Sequence, residues 1–307
     1  MTEQPAHRPL LHRLLITPGE PRLRAGWRLV LQSALLVVCL LVFQFPAVLV
    51  LSRLGRISSP VPLITSVLIS SLAITVSVFI ARRALDRRSL VSLGLKRDRK
   101  ALLDCVFGFT LTALMIGLVF ILLWGSGWLR VTAFAWETRG WSLVLLSTGL
   151  MLLIFTLIGW QEELLARGYW LQNLGDGINL RWGMLLSSAL FALAHAANPH
   201  ATWEAILGLF LSGLFLAFGY LRSGQLWLPV GLHLGWNFFE GVVFGFPVSG
   251  VVFFQLVQTH VSGPPLVTGG AFGPEAGLVQ LPALLLGAGF IHLYTRSRKI
   301  QGTVDRE

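Results

Sequence analysis

Eight stretches of this chain are apolar enough, and nearly long enough, to cross a lipid bilayer, and nothing else in the sequence constrains its fold as strongly. They run about Trp27–Leu51, Val61–Ala81, Leu102–Trp124, Trp141–Leu171, Trp182–Ala197, Trp203–Tyr220, Leu226–Phe246 and Leu278–Tyr294. An α-helix needs roughly 20 residues to cover a hydrocarbon core ~30 Å thick, and each stretch approaches that length, the fifth being the shortest. Backbone polar groups in lipid must be satisfied within the chain, so spans of this length are expected to be helical. A composition of 54% hydrophobic and 12% charged residues, with mean hydropathy +0.72, excludes an ordinary soluble domain. The expected fold class is all-α: a polytopic membrane protein, a bundle of about eight transmembrane helices with an intramembrane polar cavity. No internal repeat is visible.

The net charge of +10 does not point to nucleic acid, because the basic residues lie between the spans and no separate soluble domain carries them. Their distribution instead sets orientation. With the N-terminus inside, twenty of the twenty-four Lys and Arg residues fall on inner segments: Arg8, Arg13, Arg22, Arg24 and Arg28, the run from Arg82 to Lys100, then Arg167, Arg181, Arg222, Arg296, Arg298, Lys299 and Arg306. Only Arg53, Arg56, Arg130 and Arg139 fall outside. Both termini are therefore expected in the cytoplasm, with the protein integral to the cell (plasma) membrane. Trp27, Trp124, Trp128, Trp141, Trp182, Trp203 and Trp227 fall at span ends, where an interfacial aromatic belt belongs. Met1–Gly26 is a long Arg-containing preamble to a spanning run, so the first span is read as an anchor and not a cleaved signal. Cys39 and Cys105 lie in or beside apolar segments and read as small core residues.

Four parts follow: a cytoplasmic N-terminal segment at 1–26, a three-helix scaffold at 27–140, a second transmembrane unit at 141–295 and a cytoplasmic tail at 296–307. The run Arg82–Lys100 reads as a solvated loop near anionic lipid. The Gly- and Pro-rich stretch from Gly245 to Gly277, with its short apolar run Val251–Val257, reads as an external loop, re-entrant only where it touches protein.

Three spans carry groups that lipid excludes: Glu162, Glu163 and Arg167 in the fourth, His195 in the fifth, His233 and Asn237 in the seventh. A charge at the bilayer centre costs about 3 kcal/mol or more, so such residues face the protein interior and mark a functional site. Gly, Asp and Asn near Gly175–Asn179 break the fourth span into a turn, from which the fifth returns. Glu162 and His195 are equally far from that turn, and an antiparallel hairpin therefore sets them at nearly the same depth, roughly 25 Å along each helix. Glu163 and Arg167 are four apart and pair on one face; Glu162, about 100° away, is left to face a cavity, where a partly dry carboxylate suits a general base. His233 and Asn237 are also four apart, and their ring nitrogen and amide suit an oxyanion at a carbonyl carbon. Glu240 extends that face by a turn, either tuning the site or standing beside it.

The motifs EExxxR at Glu162, Glu163 and Arg167, FxxxH at Phe191 and His195, and HxxxN at His233 and Asn237, in this order, resemble the CAAX protease and bacteriocin-processing (CPBP) family of intramembrane endopeptidases, to which the CAAX prenyl endopeptidases belong. The resemblance implies an eight-helix bundle that cuts a peptide bond with water, near the C-terminus of a membrane-associated protein or peptide, CAAX-like or a leader. It assigns Glu162 to activating the water, His195 to holding it, His233 and Asn237 to the oxyanion, and Glu163 with Arg167 to support. The family is described both as metal-dependent and as metal-free; Glu162, His195, His233 and Asn237 could ligate a divalent metal such as zinc, although HExxH is absent and Asn is a weak ligand. Serine and aspartyl intramembrane chemistries do not fit, since the Ser-Gly pairs at Ser212 and Ser249 lack the earlier glycine and the nearby Asp176 sits in a turn. Two other classes stay open: a peptide-binding, immunity or scaffold protein that does not cut, and a transporter, which would be expected to show repeats or broken spans.

Overall fold

The computed structural model describes residues 14–53 and 61–297. Arg8, Arg13, Arg56, Arg298, Lys299 and Arg306 of the orientation count, and most of the expected tail, lie outside the described residues. Within them, helices stand in all eight expected places: α1 (Ala25–Arg53), α2 (Val61–Ala84), α3 (Arg99–Gly125), α4 (Trp141–Glu163), α5 (Leu180–Ala194), α6 (Trp203–Ser223), α7 (Trp227–Asn237) and α8 (Gln280–Thr295). α4 continues without a break through a π-helical segment, Leu164–Leu171, and a last turn, Gln172–Gly177. Five of these helices are long and apolar enough to cross a membrane, namely α1, α2, α3, α4 with its extension, and α6. α5 has 15 residues, α8 has 16, and α7 has 11 followed by a six-residue π-helical segment, Phe238–Val243, so these three pack within the bundle as shorter helices.

The molecule is an integral membrane protein, and its surface shows why. Phe45, Leu102, Ile121, Leu145, Leu146 and Leu285 are among many large apolar side chains exposed on the helices. A soluble fold would not tolerate such a continuous apolar belt. Trp27, Trp124, Trp141, Trp182 and Trp203 sit exposed at helix ends, as the interfacial reading requires.

Local chemistry defines the helix starts. Asp98 caps α3 by accepting from the Ala101 N–H, Asn179 caps α5 through Trp182 N–H, and Thr202 caps α6 through Ala205 N–H. Gly224, in the left-handed region at φ +70°, ends α6. α7 is drawn tightly onto α3 by glycines. A Cβ on Gly108 would stand 2.7 Å from the Leu228 carbonyl, and Cβ atoms on Gly231 and Gly235 would overlap the Cys105 carbonyl and the Thr112 hydroxyl. This is close packing of the small-xxx-small kind. Gly231 and Gly235 lie about 200° around α7 from His233 and Asn237, so the face that grips α3 turns the polar pair the opposite way. Leu111, Met115 and Ile116 of α3, Leu228, Leu232 and Trp236 of α7, and Leu284 and Ile291 of α8 form the main core beside this seam.

Two regions differ from expectation. The loop reading of Gly245–Gly277 missed β2 (Val257–Val261), which pairs antiparallel with β1 (Leu129–Phe134), Leu129 opposite Val261 and Phe134 opposite Val257, with an irregularity between Val131 and Ala133. Short helical turns at Pro265–Thr268 and Pro274–Ala276 complete that stretch. The second difference is the run Arg82–Lys100, which is not wholly solvated: Arg82 and Asp86 are buried, because Asp86 receives Arg28 at 3.1 Å and Arg82 at 2.8 Å. Arg82 also reaches Gln172 at 2.6 Å, and Asp176 meets Arg22 and Arg88 at 3.2 and 3.0 Å. These contacts tie the start of α1 and the end of α2 to the end of the α4 extension.

Candidate active site

The six polar residues of α4, α5 and α7 and their extensions converge in one centre. Glu163 and Arg167 are wholly buried, and the Arg167 Nη1 donates to Glu163 Oε1 at 2.7 Å while Nη2 donates to the Gly213 carbonyl of α6 at 2.9 Å. The π-helical turn that carries Arg167 widens the backbone spacing here, a distortion frequent at functional sites. The guanidinium also lies over the Phe191 ring, 4.5 Å from its centroid.

Glu163 has a second duty that the motif spacing did not reveal. Its Oε1 accepts from His233 Nδ1 at 2.8 Å, so one carboxylate joins Arg167 to His233 and fixes the imidazole of a helix about 70 residues away in sequence. The signal for this was absent from the local pattern, because Glu163 already had a partner four residues on.

His195 is placed by a different device. α5 ends at Ala194, and His195 follows as the capping residue with φ −95° and ψ 2°, one step outside the helix that the sequence reading had carried to Ala197. Its Nδ1 donates to the Phe191 carbonyl at 2.8 Å. A carbonyl only accepts, so Nδ1 carries a proton and Nε2 points onward. His233, donating from Nδ1 to a carboxylate, presents Nε2 in the same sense.

Both Nε2 atoms face Glu162. Its Oε2 lies 3.6 Å from His195 Nε2 and 3.8 Å from His233 Nε2, and this buried oxygen makes no hydrogen bond among the described residues. A water between them has two protons, enough to donate to Glu162 Oε2 and to one imidazole nitrogen. Asn237, one turn beyond His233, lines the same space. The centre opens into a cavity of about 370 Å³ that reaches from Gln161 and Trp170 to Asn198 and Val251. A far smaller adjoining void, about 30 Å³, begins where Phe191, Leu209, His233, Asn237 and Glu275 border both spaces.

Glu275 escaped the sequence reading, although it is the only acid between Gly245 and Gly277. Glu240 is wholly buried in the π-helical segment after α7 and lines neither space. The Nε2 atoms of His195 and His233 and the Glu162 carboxylate are the donors with which the set would meet a divalent ion. Among the described residues, no three His, Cys, Asp or Glu side chains have the arrangement of a metal site.

A helix bundle that spans the membrane and buries glutamate, histidine and asparagine together around water-sized space defines an integral membrane protein with an intramembrane polar centre. Residues 142–239, which contain all six of these side chains, match the family model for type II CAAX prenyl endopeptidase Rce1-like proteins. No curated protein and no solved structure matches the chain.

Proposed function

We propose that the chain is an intramembrane endopeptidase in which Glu162 activates water. The observation that carries this reading is the buried, unbonded Glu162 Oε2 facing two imidazole Nε2 atoms that are each anchored through Nδ1. A water held there gives one proton to Glu162 as its oxygen bonds to the peptide carbonyl carbon. The resulting oxyanion is met by the Asn237 amide, and by His233 when its ring is doubly protonated. Collapse breaks the C–N bond, and the proton held by Glu162 passes to the leaving amine. Glu163 and Arg167 position His233 and do not touch the substrate.

The substrate is a membrane-associated protein or peptide, cut near its C-terminus at a CAAX-like sequence or at a leader, in the cell membrane, with both termini of the enzyme in the cytoplasm. The arginine-rich end of the bundle, where Arg22, Arg28, Arg82 and Arg88 gather, supports that orientation. The test is a comparison of protein termini, by mass spectrometry, in cells carrying wild type or Glu162→Gln at equal abundance. Termini produced only by wild type are expected. Identical termini would overturn the reading in favour of a binding protein.

A further inference from the structure

Arginine outnumbers acid at the end of the bundle where α1 begins, and a cavity opens there. Asp176, in the last turn of the α4 extension, is shared by three guanidiniums, those of Arg88 at 3.0 Å, Arg22 at 3.2 Å and Arg28 at 3.7 Å. Glu20 pairs with Arg22, and Asp86 with Arg28 and Arg82. Arg24 is exposed and pairs with no acid among the described residues; its side chain donates to the Ile16 carbonyl at 3.4 Å. Five arginines thus stand over three acids, an excess of two positive charges.

Four of these arginines, Arg22, Arg24, Arg28 and Arg88, line one cavity of about 870 Å³ together with Glu20 and Asp176. Arg28 is only 1% exposed, and its Nε makes no hydrogen bond among the described residues, so a buried donor on this wall is still unmet. The first turn of α1 lines the same wall and contains no acid, which adds the positive end of the helix dipole to the excess. The frame is held from outside as well. Ile16 pairs with Leu23 across a turn, the Arg24 N–H donates to the Leu15 carbonyl at 2.8 Å, and Trp27 Nε1 donates to the Leu14 carbonyl at 3.2 Å. These bonds fold the segment before α1 back onto its first turn.

Excess guanidinium with a free donor calls for an anion, and the guanidinium fork matches two oxygens of a phosphate. The other wall of the cavity says that this phosphate arrives on a lipid. Leu14, Trp27, Val30 and Ile178 line it and are all exposed. From Val30 the exposed stripe runs on along α1 through Val37, Leu41 and Phe45, spaced seven, four and four apart on one helical face. Acyl chains lying on that stripe bring their headgroup to the arginines. Pockets of roughly 300–1,000 Å³ hold drug-sized ligands, so a phosphoglycerol headgroup fits. We propose that this cavity binds the phosphate of an anionic phospholipid between the start of α1 and the end of the α4 extension, with Arg24 and Arg28 as its cationic contacts. The site shares no lining residue with the catalytic cavity and stands independently of the peptidase reading.

The test uses the full chain in detergent micelles titrated with phosphatidylglycerol or with phosphatidylcholine of the same acyl chains, the bound lipids being counted by native mass spectrometry. Wild type is expected to retain one phosphatidylglycerol at least about tenfold more tightly than phosphatidylcholine. Arg24→Gln should lower that preference by about fivefold, the worth of one arginine beside an anionic headgroup. Arg97→Gln removes the same charge from an exposed arginine outside the cavity and should leave the preference unchanged. Equal retention of the two lipids by wild type overturns the proposal, whatever the variants do. Equal losses in Arg24→Gln and Arg97→Gln overturn it too, because they show diffuse surface charge and not a site. Displacement of the bound lipid by inorganic phosphate at the same concentration would assign the cavity to a free anion and overturn the lipid assignment.

Discussion

Two buried charge networks lie about two to three helical turns apart along α4 and its extension, and they are built to opposite ends. At the arginine-rich end, Asp86 is engaged by Arg28, Arg82 and the Asn173 amide, with Tyr169 at 3.4 Å. That network is closed, since each carboxylate oxygen of Asp86 meets a guanidinium at 2.8 or 3.1 Å. In the candidate active site Arg167 and His233 both engage Oε1 of Glu163 and leave its Oε2 without a hydrogen bond among the described residues, while the neighbouring Glu162 Oε2, unbonded as well, faces two imidazoles at 3.6 and 3.8 Å. Closed networks hold helices in register. An open one leaves room for a reactant.

Breaking a buried ion pair should cost stability, and the largest effect is expected at Glu163→Ala. It strands Arg167 and releases His233 at once, so a loss of about 3–5 kcal/mol is expected, read as a lower melting temperature in detergent. Unchanged melting would contradict the pairing. Asp86→Ala leaves Arg28 and Arg82 facing each other without their acid and is expected to lose about 3 kcal/mol. Because Asp86 bonds none of Glu162, His195, His233 and Asn237, whatever fraction stays folded should cut at the wild-type rate per molecule, and a matched loss of specific activity would show that the two networks are coupled.

Smaller effects sharpen the picture of how the polar face of α7 is presented. Gly235→Ala places a methyl against the Thr112 hydroxyl and the Phe109 backbone, so α7 must move off α3, with an expected cost of about 1–3 kcal/mol and a fall in kcat as His233 shifts. Asn179→Ala removes the cap of α5 and should cost about 1 kcal/mol, with little change in activity, because the His195 anchor to Phe191 lies at the other end of that helix. Thermal melting and initial rates on one peptide check both.

The sequence made some of this legible and hid the rest for physical reasons. Apolar length located the eight helices of the bundle, because lipid permits few alternatives, and four-residue spacing joined Glu163 to Arg167. Hairpin arithmetic set Glu162 and His195 at one depth, and they lie within 3.6 Å. What stayed hidden was non-local. The pairing of β1 with β2 joins segments about 130 residues apart, and neither carries a strong strand pattern of its own. The burial of Arg82 and Asp86 depends on Arg28 arriving from another helix. The bond from Glu163 to His233 and the delivery of Glu275 to the cavity both depend on how helices and a Gly-rich loop pack, which no local spacing encodes. The π-helical turns at Leu164–Leu171 and Phe238–Val243 leave no mark in composition either.

The open oxygen of Glu162 is the centre of the account, and purified protein tests it most directly. Wild type and Glu162→Gln, reconstituted in liposomes, would be compared for the rate of cutting one substrate peptide and for thermal melting. The account predicts a rate loss of about a thousandfold or more with melting unchanged, because the amide keeps the shape and removes only the base. A variant that melts like wild type and cuts at the wild-type rate would contradict it.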